Sequence, residues 1–236
     1  MSTETVIEAN KLQFGWPSQT DNFVLDDFSV RAGETVFIYG PSGCGKSTFL
    51  NVLAGVIKPQ AGDLKILGQT LSLLPDRRRD CFRADHIGLI FQQFNLLPYL
   101  SVMDNLLLPL TFSPLRLQKL TASGVTAQAR VHELLAHLGL ESEVLDQPVN
   151  QLSVGQQQRV AAARALLGAP ELIIADEPTS ALDEGNQQRF VDLLKRECAE
   201  QNTALILVSH DHRLAESFSR VLDFPQICQR QAKAVL

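Results

Sequence analysis

Residues 40–48, Gly40-Pro-Ser-Gly-Cys-Gly-Lys-Ser-Thr48, constrain this chain more than any other stretch. They fit the pattern G-x-x-x-x-G-K-[ST], and the context fits as well. A short apolar, β-rich run, Thr35-Val-Phe-Ile-Tyr39, ends where the loop begins, and a helical pattern runs from Lys46 to Val56. Gly40, Gly43 and Gly45 let the backbone curl so that successive N–H groups point inward. The start of the following helix adds partial positive charge at the same place. Lys46 supplies a point charge for the β- and γ-phosphates of a nucleoside triphosphate, and the Ser47 hydroxyl suits Mg2+. The whole loop, including Pro41, Ser42, Cys44 and Thr48, reads as a phosphate cradle.

A second apolar run, Leu172-Ile-Ile-Ala175, ends in Asp176 and Glu177. Ligands of parallel sheets bind beyond the carboxyl ends of the strands. Asp176 is therefore expected in the Mg2+ shell opposite Ser47. Glu177, one residue further out, is expected to polarise water for in-line attack on the γ-phosphate. Alone, two carboxylates after an apolar run mean a solvated strand end; the phosphate loop gives them weight. His210 follows the run Ala204-Leu-Ile-Leu-Val208 and falls at the same edge, within reach of that phosphate.

Elsewhere, Val6 to Trp16 and Phe23 to Val30 alternate apolar and polar residues and read as strands. Arg31 to Glu34 reads as a turn, Gly62 to Gly68 and Ile87 to Phe91 as further strands, and Glu184 to Gln201 as a helix. From Gln92 to Leu167 the texture changes to Leu-rich segments at helical spacing, broken by Pro98, Pro109, Pro114, Gly139 and Pro148. Strand, helix, strand with a helical insert is an α/β plan with a mainly parallel core. The length of 236 residues suits one domain, divided into a nucleotide-binding core (1–91 and 168–236) and a helical insert (92–167). The stretch Asp76-Arg-Arg-Arg-Asp-Cys-Phe-Arg83 reads as a solvated helix face.

The net charge of −5 disfavours a nucleic-acid binder driven by bulk positive charge. No apolar run reaches the roughly 18–20 residues that span a bilayer, and the N-terminus lacks the basic start and apolar stretch of a signal peptide. The expectation is a cytoplasmic protein without direct membrane insertion, meeting a membrane only through a partner. Cys44, Cys81, Cys198 and Cys228 are scattered without metal-ligand spacing and read as free thiols.

Gln151-Leu-Ser-Val-Gly-Gln-Gln-Gln-Arg-Val160 precedes a helical run from Ala161 to Leu167. By itself Ser153-x-x-Gln156 is a capping box. Taken with Gln92 after Ile-Phe, Asp-Glu-Pro-Thr at 176–179, Ser-Ala-Leu-Asp at 180–183 and His210, all in order, it makes the chain resemble the ABC-type ATPases over essentially its whole length. The resemblance implies a P-loop NTPase (RecA-like) α/β core with an N-terminal antiparallel β subdomain and an inserted α-helical subdomain. It implies ATP hydrolysis with Mg2+, and a head-to-tail homodimer. Each ATP then lies between the phosphate loop of one subunit and the signature helix of the other. Ser153, Gly155, Gln156 and Asp183 are implied to complete the nucleotide site, and Gln92 to touch Mg2+ or water. The physics agrees, because the Ser153 end of that helix is a second anion-binding terminus that the chain's own phosphate loop does not need.

The family usually has Gly where this chain has Val154; valine tolerates helical φ, so the expectation is a modest loss of closure. Cys44 occupies a variable position of the loop, and its alkylation is expected to block ATP. The run Leu12-x-Phe14-x-Trp16 offers two aromatics for adenine. Alternation puts both on one strand face, and the family's pattern, whose last aromatic stacks, favours Trp16 with Phe14 as core. The residues after Gln92 are implied to face a membrane permease, with a docking cleft for a coupling helix drawn from the exposed part of Leu96 to Leu110. The run Ile87 to Pro98 looks most like ATPases serving permeases with large periplasmic domains: lipoprotein-releasing, macrolide-exporting and cell-division systems. Members of that subgroup often carry Gly at the position of Ser180. Competing readings are a soluble ABC-type ATPase acting on ribosomes or DNA, and a small-molecule P-loop kinase. A single phosphate loop without heptads or zinc spacing disfavours the first, and an unexplained signature at 152–156 disfavours the second.

Overall fold

The structure, a computed structural model, describes residues 4–16, 21–180 and 182–232. A five-stranded parallel sheet forms its middle layer. It contains β3 (Thr35–Tyr39), β6 (Ile87–Ile90), β7 (Leu172–Asp176), β8 (Ala204–Val208) and β9 (Arg220–Asp223), in the order β6-β7-β8-β3-β9. β7 and β8 are continuous apolar runs because both faces are covered. Successive residues serve opposite cores. Ile173 and Ala175 join the helical side, whereas Leu172 and Ile174 join the other.

On that other side lie α1 (Lys46–Leu53) and an antiparallel sheet of β1 (Thr5–Phe14), β2 (Asp21–Arg31), β4 (Ala61–Ile66), β5 (Gln69–Thr70) and β10 (Cys228–Ala232). β1 alternates from Ile7 to Asn10 and again from Lys11 to Phe14, with the phase slipping at Lys11, φ +49; it ends at Phe14, so Trp16 lies beyond the strand and not on its face. α1 ends three residues before Val56, because Gly55 turns the chain at φ +67 and Val56 closes back on the Asn51 carbonyl. β9 and β10 carry no clear pattern in sequence; Cys-Gln-Arg-Gln-Ala becomes a strand only by pairing with β2.

The helical side carries α3 (Val102–Phe112), α4 (Pro114–Ala122), α5 (Ala127–His137), α6 (Val154–Leu166) and α7 (Glu184–Glu200). Their starts are written locally. Ser101, Ser113 and Thr126 cap α3, α4 and α5 through side-chain oxygens that accept backbone N–H groups. α6 starts at Val154, seven residues before the helical run anticipated at Ala161. The reason is the capping box: Ser153 Oγ accepts from Gln156 N, and Gln156 Oε1 accepts from Ser153 N at 2.9 Å. α2 (Asp76–His86) is largely solvated, but Arg79 is buried and donates to the Gly55 carbonyl at 2.6 Å. α8 (Phe224–Ile227) is one turn between β9 and β10. Among the described residues no helix is long and apolar enough to cross a membrane, and all four cysteines are free.

Candidate nucleotide site

All pairings in the middle sheet are parallel. The carboxyl ends of β3, β7, β8 and β6 therefore open on one edge, and they deliver respectively the phosphate loop, Asp176–Glu177, His210 and Gln92. A cavity of about 440 Å3 lies at that edge. Its wall includes Gly40, Ser42, Gly43, Gly45, Lys46, Ser47 and Thr48 from the loop, with Gln92, Asp176, Glu177 and His210 facing them. These residues are far apart in sequence and are brought together as the strand ends require.

Within the loop, Gly45 has φ +104, and a Cβ there would sit 2.5 Å from the Phe23 ring, so only glycine fits. Lys46 is buried, and its ammonium donates to the carbonyls of Gly40 at 2.7 Å and Pro41 at 2.9 Å. The charge is thereby held over the loop rather than extended into solvent. The Cys44 sulfur lies 3.8 Å from the same Nζ.

Asp176 and Ser47 share the cavity wall. The Asp176 carboxyl is raised above the ordinary range, first by burial and further by the Glu177 charge, against the lowering effects of Ser47 and Lys46. Two adjacent carboxylates and a hydroxyl, with one lysine nearby, form an all-oxygen donor set with an excess of negative charge, which fits a hard divalent cation such as Mg2+. Glu177 has a left-handed backbone, φ +46, which is uncommon for a residue with a side chain and clusters at functional sites. Its N–H donates to the Val208 carbonyl at 2.9 Å, and its Oε2 lies 2.8 Å from His210 Nδ1.

Trp16 donates its indole N–H to Thr48 Oγ1 at 3.3 Å, which puts the ring beside the loop. Phe14 is fully buried, as expected for core, and stacks on Phe23 with ring centroids 5.6 Å apart. Phe23, which no motif in the sequence assigns to the site, also lines the cavity, as does Ser180 of the Ser-Ala-Leu-Asp motif. The signal for Phe23 was the β1–β2 hairpin, which pairs it directly with Phe14. Ser153, Gly155 and Gln156 do not line this cavity; they form the first turn of α6. Asp183 also lies outside it. It caps α7, and its hydrogen bonds from Asn186 hold its carboxyl below the ordinary range. Within Leu96 to Leu110, Val102, Asn105, Leu106 and Leu110 are buried, Leu96, Met103 and Leu107 pack half-buried against the helical core, and Tyr99 is 75% exposed.

The ABC transporter family profile matches residues 26–180. The chain belongs to the ABC transporter family. It is an ATP-binding subunit of that family and an ATPase. It is 41% identical over 194 residues to the lipoprotein-releasing system ATP-binding protein LolD of Hydrogenovibrio crunogenus, covering 82% of this chain and 81% of that protein. It is 37% identical over 221 residues to the macrolide export ATP-binding/permease protein MacB of Photorhabdus laumondii. That match covers 92% of this chain but 33% of the relative, so the chain spans about a third of the ATP-binding/permease protein. Among solved structures, the ATP-binding cassette MJ0796 of Methanocaldococcus jannaschii, a dimer bound to ADP and Pi in a post-hydrolysis state, superposes with a TM-score of 0.77 at 34% identity. The superposition covers 92% of this chain and 93% of that one.

Proposed function

We propose that the ATPase works as a head-to-tail homodimer that hydrolyses ATP with Mg2+ and drives a membrane permease from the inner face of the cell membrane. The observation that carries this reading is the convergence of Lys46, Ser47, Gln92, Asp176, Glu177 and His210 on one cavity, while the capped end of α6 is presented elsewhere.

In this reading the loop amides and Lys46 bind the phosphates. Ser47 and Asp176, with Gln92, hold Mg2+, which when bound offsets charge on the β- and γ-phosphates. Glu177 takes a proton from the attacking water, and His210, on Glu177 Oε2, orients that carboxylate and lies near the γ-phosphate. Trp16 stacks on adenine. Ser153, Gly155, Gln156 and Asp183 close the site of the partner subunit. Gly155 supports this closure: its own chain comes no nearer to a Cβ there than 3.5 Å, at Leu182, so the fold does not demand glycine. Close approach from outside the subunit supplies a reason for it.

We assign 1–91 and 168–236 to the nucleotide-binding core and 92–167 to the helical subdomain. A groove of about 530 Å3 between α2, β6, α3 and α6, bordered by Leu108, Pro109 and Phe112, is assigned to the permease coupling segment; Phe112 is 68% exposed. The relatives' names favour export of a small molecule or release of a lipoprotein as the permease's task. ATPase assays on Lys46→Ala, with and without Mg2+, test the site. Loss of both nucleotide binding and hydrolysis is expected, and an active Lys46→Ala protein contradicts the reading.

A further inference from the structure

Gln92 sits at the centre of a tight turn that follows β6, closed by Phe94 N donating to the Phe91 carbonyl at 2.9 Å. The next two residues are unusual. Phe94 and Asn95 both have left-handed backbones, at φ +59 and +50, and neither is glycine. Asparagine visits this region readily, but for Phe94 such a conformation persists only where surrounding groups impose it. Here the group is Arg164 of α6. Its Nη2 donates to the Phe94 carbonyl and its Nη1 to the Asn95 carbonyl, each at 2.8 Å.

The planar guanidinium suits this task, because its two nitrogens bridge successive carbonyls with one fixed geometry. Among the described residues no carboxylate lies within ion-pair distance of Arg164. Burial depresses its pKa with no opposing carboxylate. A partly buried cation of this kind is retained only if its hydrogen bonds are made, and those to Phe94 and Asn95 both go to this turn. Arg164 also borders the groove between α3 and α6, next to Phe91 and Leu108.

We propose that Arg164 is a positioning residue for Gln92, clamping the turn that carries Gln92 to the same helix whose first turn is offered to the other subunit. The proposal rests on the role given to Gln92 above. The same guanidinium therefore joins α6, beside its packing on β6, to the turn that carries Gln92. A purely structural arginine would stabilise α6 without affecting the metal step.

The test combines two readouts on the full chain. In Arg164→Ala, amide hydrogen exchange across 91–95 is expected to speed up by about 10-fold or more, because the clamp is gone. kcat is expected to fall about 10-fold, with a raised Mg2+ requirement and binding of a fluorescent ATP analogue changed by less than about twofold. Arg164→Lys, which donates from one point, should recover only part of each effect, and it carries the same test if Arg164→Ala does not fold. Gln92→Ala combined with Arg164→Ala should be no slower than Gln92→Ala alone. Unchanged exchange at 91–95, or losses that multiply in the double variant, overturns the clamp. A Gln92→Ala protein with normal kcat and Mg2+ dependence instead refutes the role of Gln92, and exchange at 91–95 still decides whether Arg164 holds the turn.

Discussion

His210 Nδ1 lies 2.8 Å from Glu177 Oε2, although the two residues come from the ends of different strands and Glu177 holds a left-handed backbone to make the contact. The contact fixes one carboxylate oxygen of a residue that lines the cavity. Glu177→Gln is expected to lose hydrolysis by about 10²–10⁴-fold while keeping ATP binding. His210→Ala should lose less, about 10–100-fold, because it removes an orienting partner and not the base. Single-turnover assays with bound ATP separate the two, and equal losses would give His210 a larger part than the geometry assigns.

Cys44 packs within 3.8 Å of the Lys46 ammonium in the phosphate loop. Cys44 packs half-buried against the core and does not line the cavity, so a maleimide adduct there would have to displace the loop that cradles the phosphates. Confirmed alkylation at Cys44 is expected to abolish ATP binding, with Cys44→Ser resistant and active within about threefold of the parent. Unchanged ATPase activity in the alkylated protein would show that the sulfur points away from the ligand.

Val154 is the first residue of α6 and is 49% exposed, so about half of its surface is left open by its own subunit. Val154→Gly is expected to change ATPase activity by no more than about threefold, since the capping box on Ser153 and Gln156 already fixes the helix start. A large change in either direction would place the Val154 methyl groups against the partner's nucleotide.

Glu171, just before β7, accepts from Lys119 of α4 at 2.7 Å and contacts His86 of α2 at 3.0 Å. Burial alone would raise its pKa, but hydrogen bonds and charge from His86 and Lys119 outweigh burial and bring it from 4.5 to about 2. The folded protein therefore binds fewer protons than the unfolded chain in that window. The stabilisation is complete above 4.5 and disappears as pH falls to about 2. Glu171→Gln is expected to cost on the order of 1 kcal/mol at neutral pH after allowing for solvent screening. Denaturant melts at pH 7 and near pH 3 check this, the variant's deficit shrinking at the lower pH.

Much of the site was legible because it is written in contiguous stretches. The strand before the phosphate loop, the loop itself and the carboxylates after Ala175 carry their geometry in local pattern, and parallel pairing then aligns them. The helical run read from Ala161 began too late because Val154 to Val160 is polar and glycine-bearing, although the Ser153–Gln156 capping box, legible in the sequence, already marked the helix start. Trp16 was read as a continuing strand face, whereas the strand stops at Phe14. Phe23 had only the β1–β2 pairing with Phe14 as its signal, and the Arg164 clamp had none, because it depends on contacts across the fold that no local periodicity encodes.

The central claim is that ATP held at Lys46 of one subunit is closed by Ser153 of the other. Light scattering on Glu177→Gln with ATP tests it most directly, since a monomer has a mass of 26.0 kDa. The account predicts twice that mass for Glu177→Gln, and a monomer that still binds ATP for Glu177→Gln combined with Ser153→Arg. A combined variant that dimerises with ATP as fully as Glu177→Gln would contradict it.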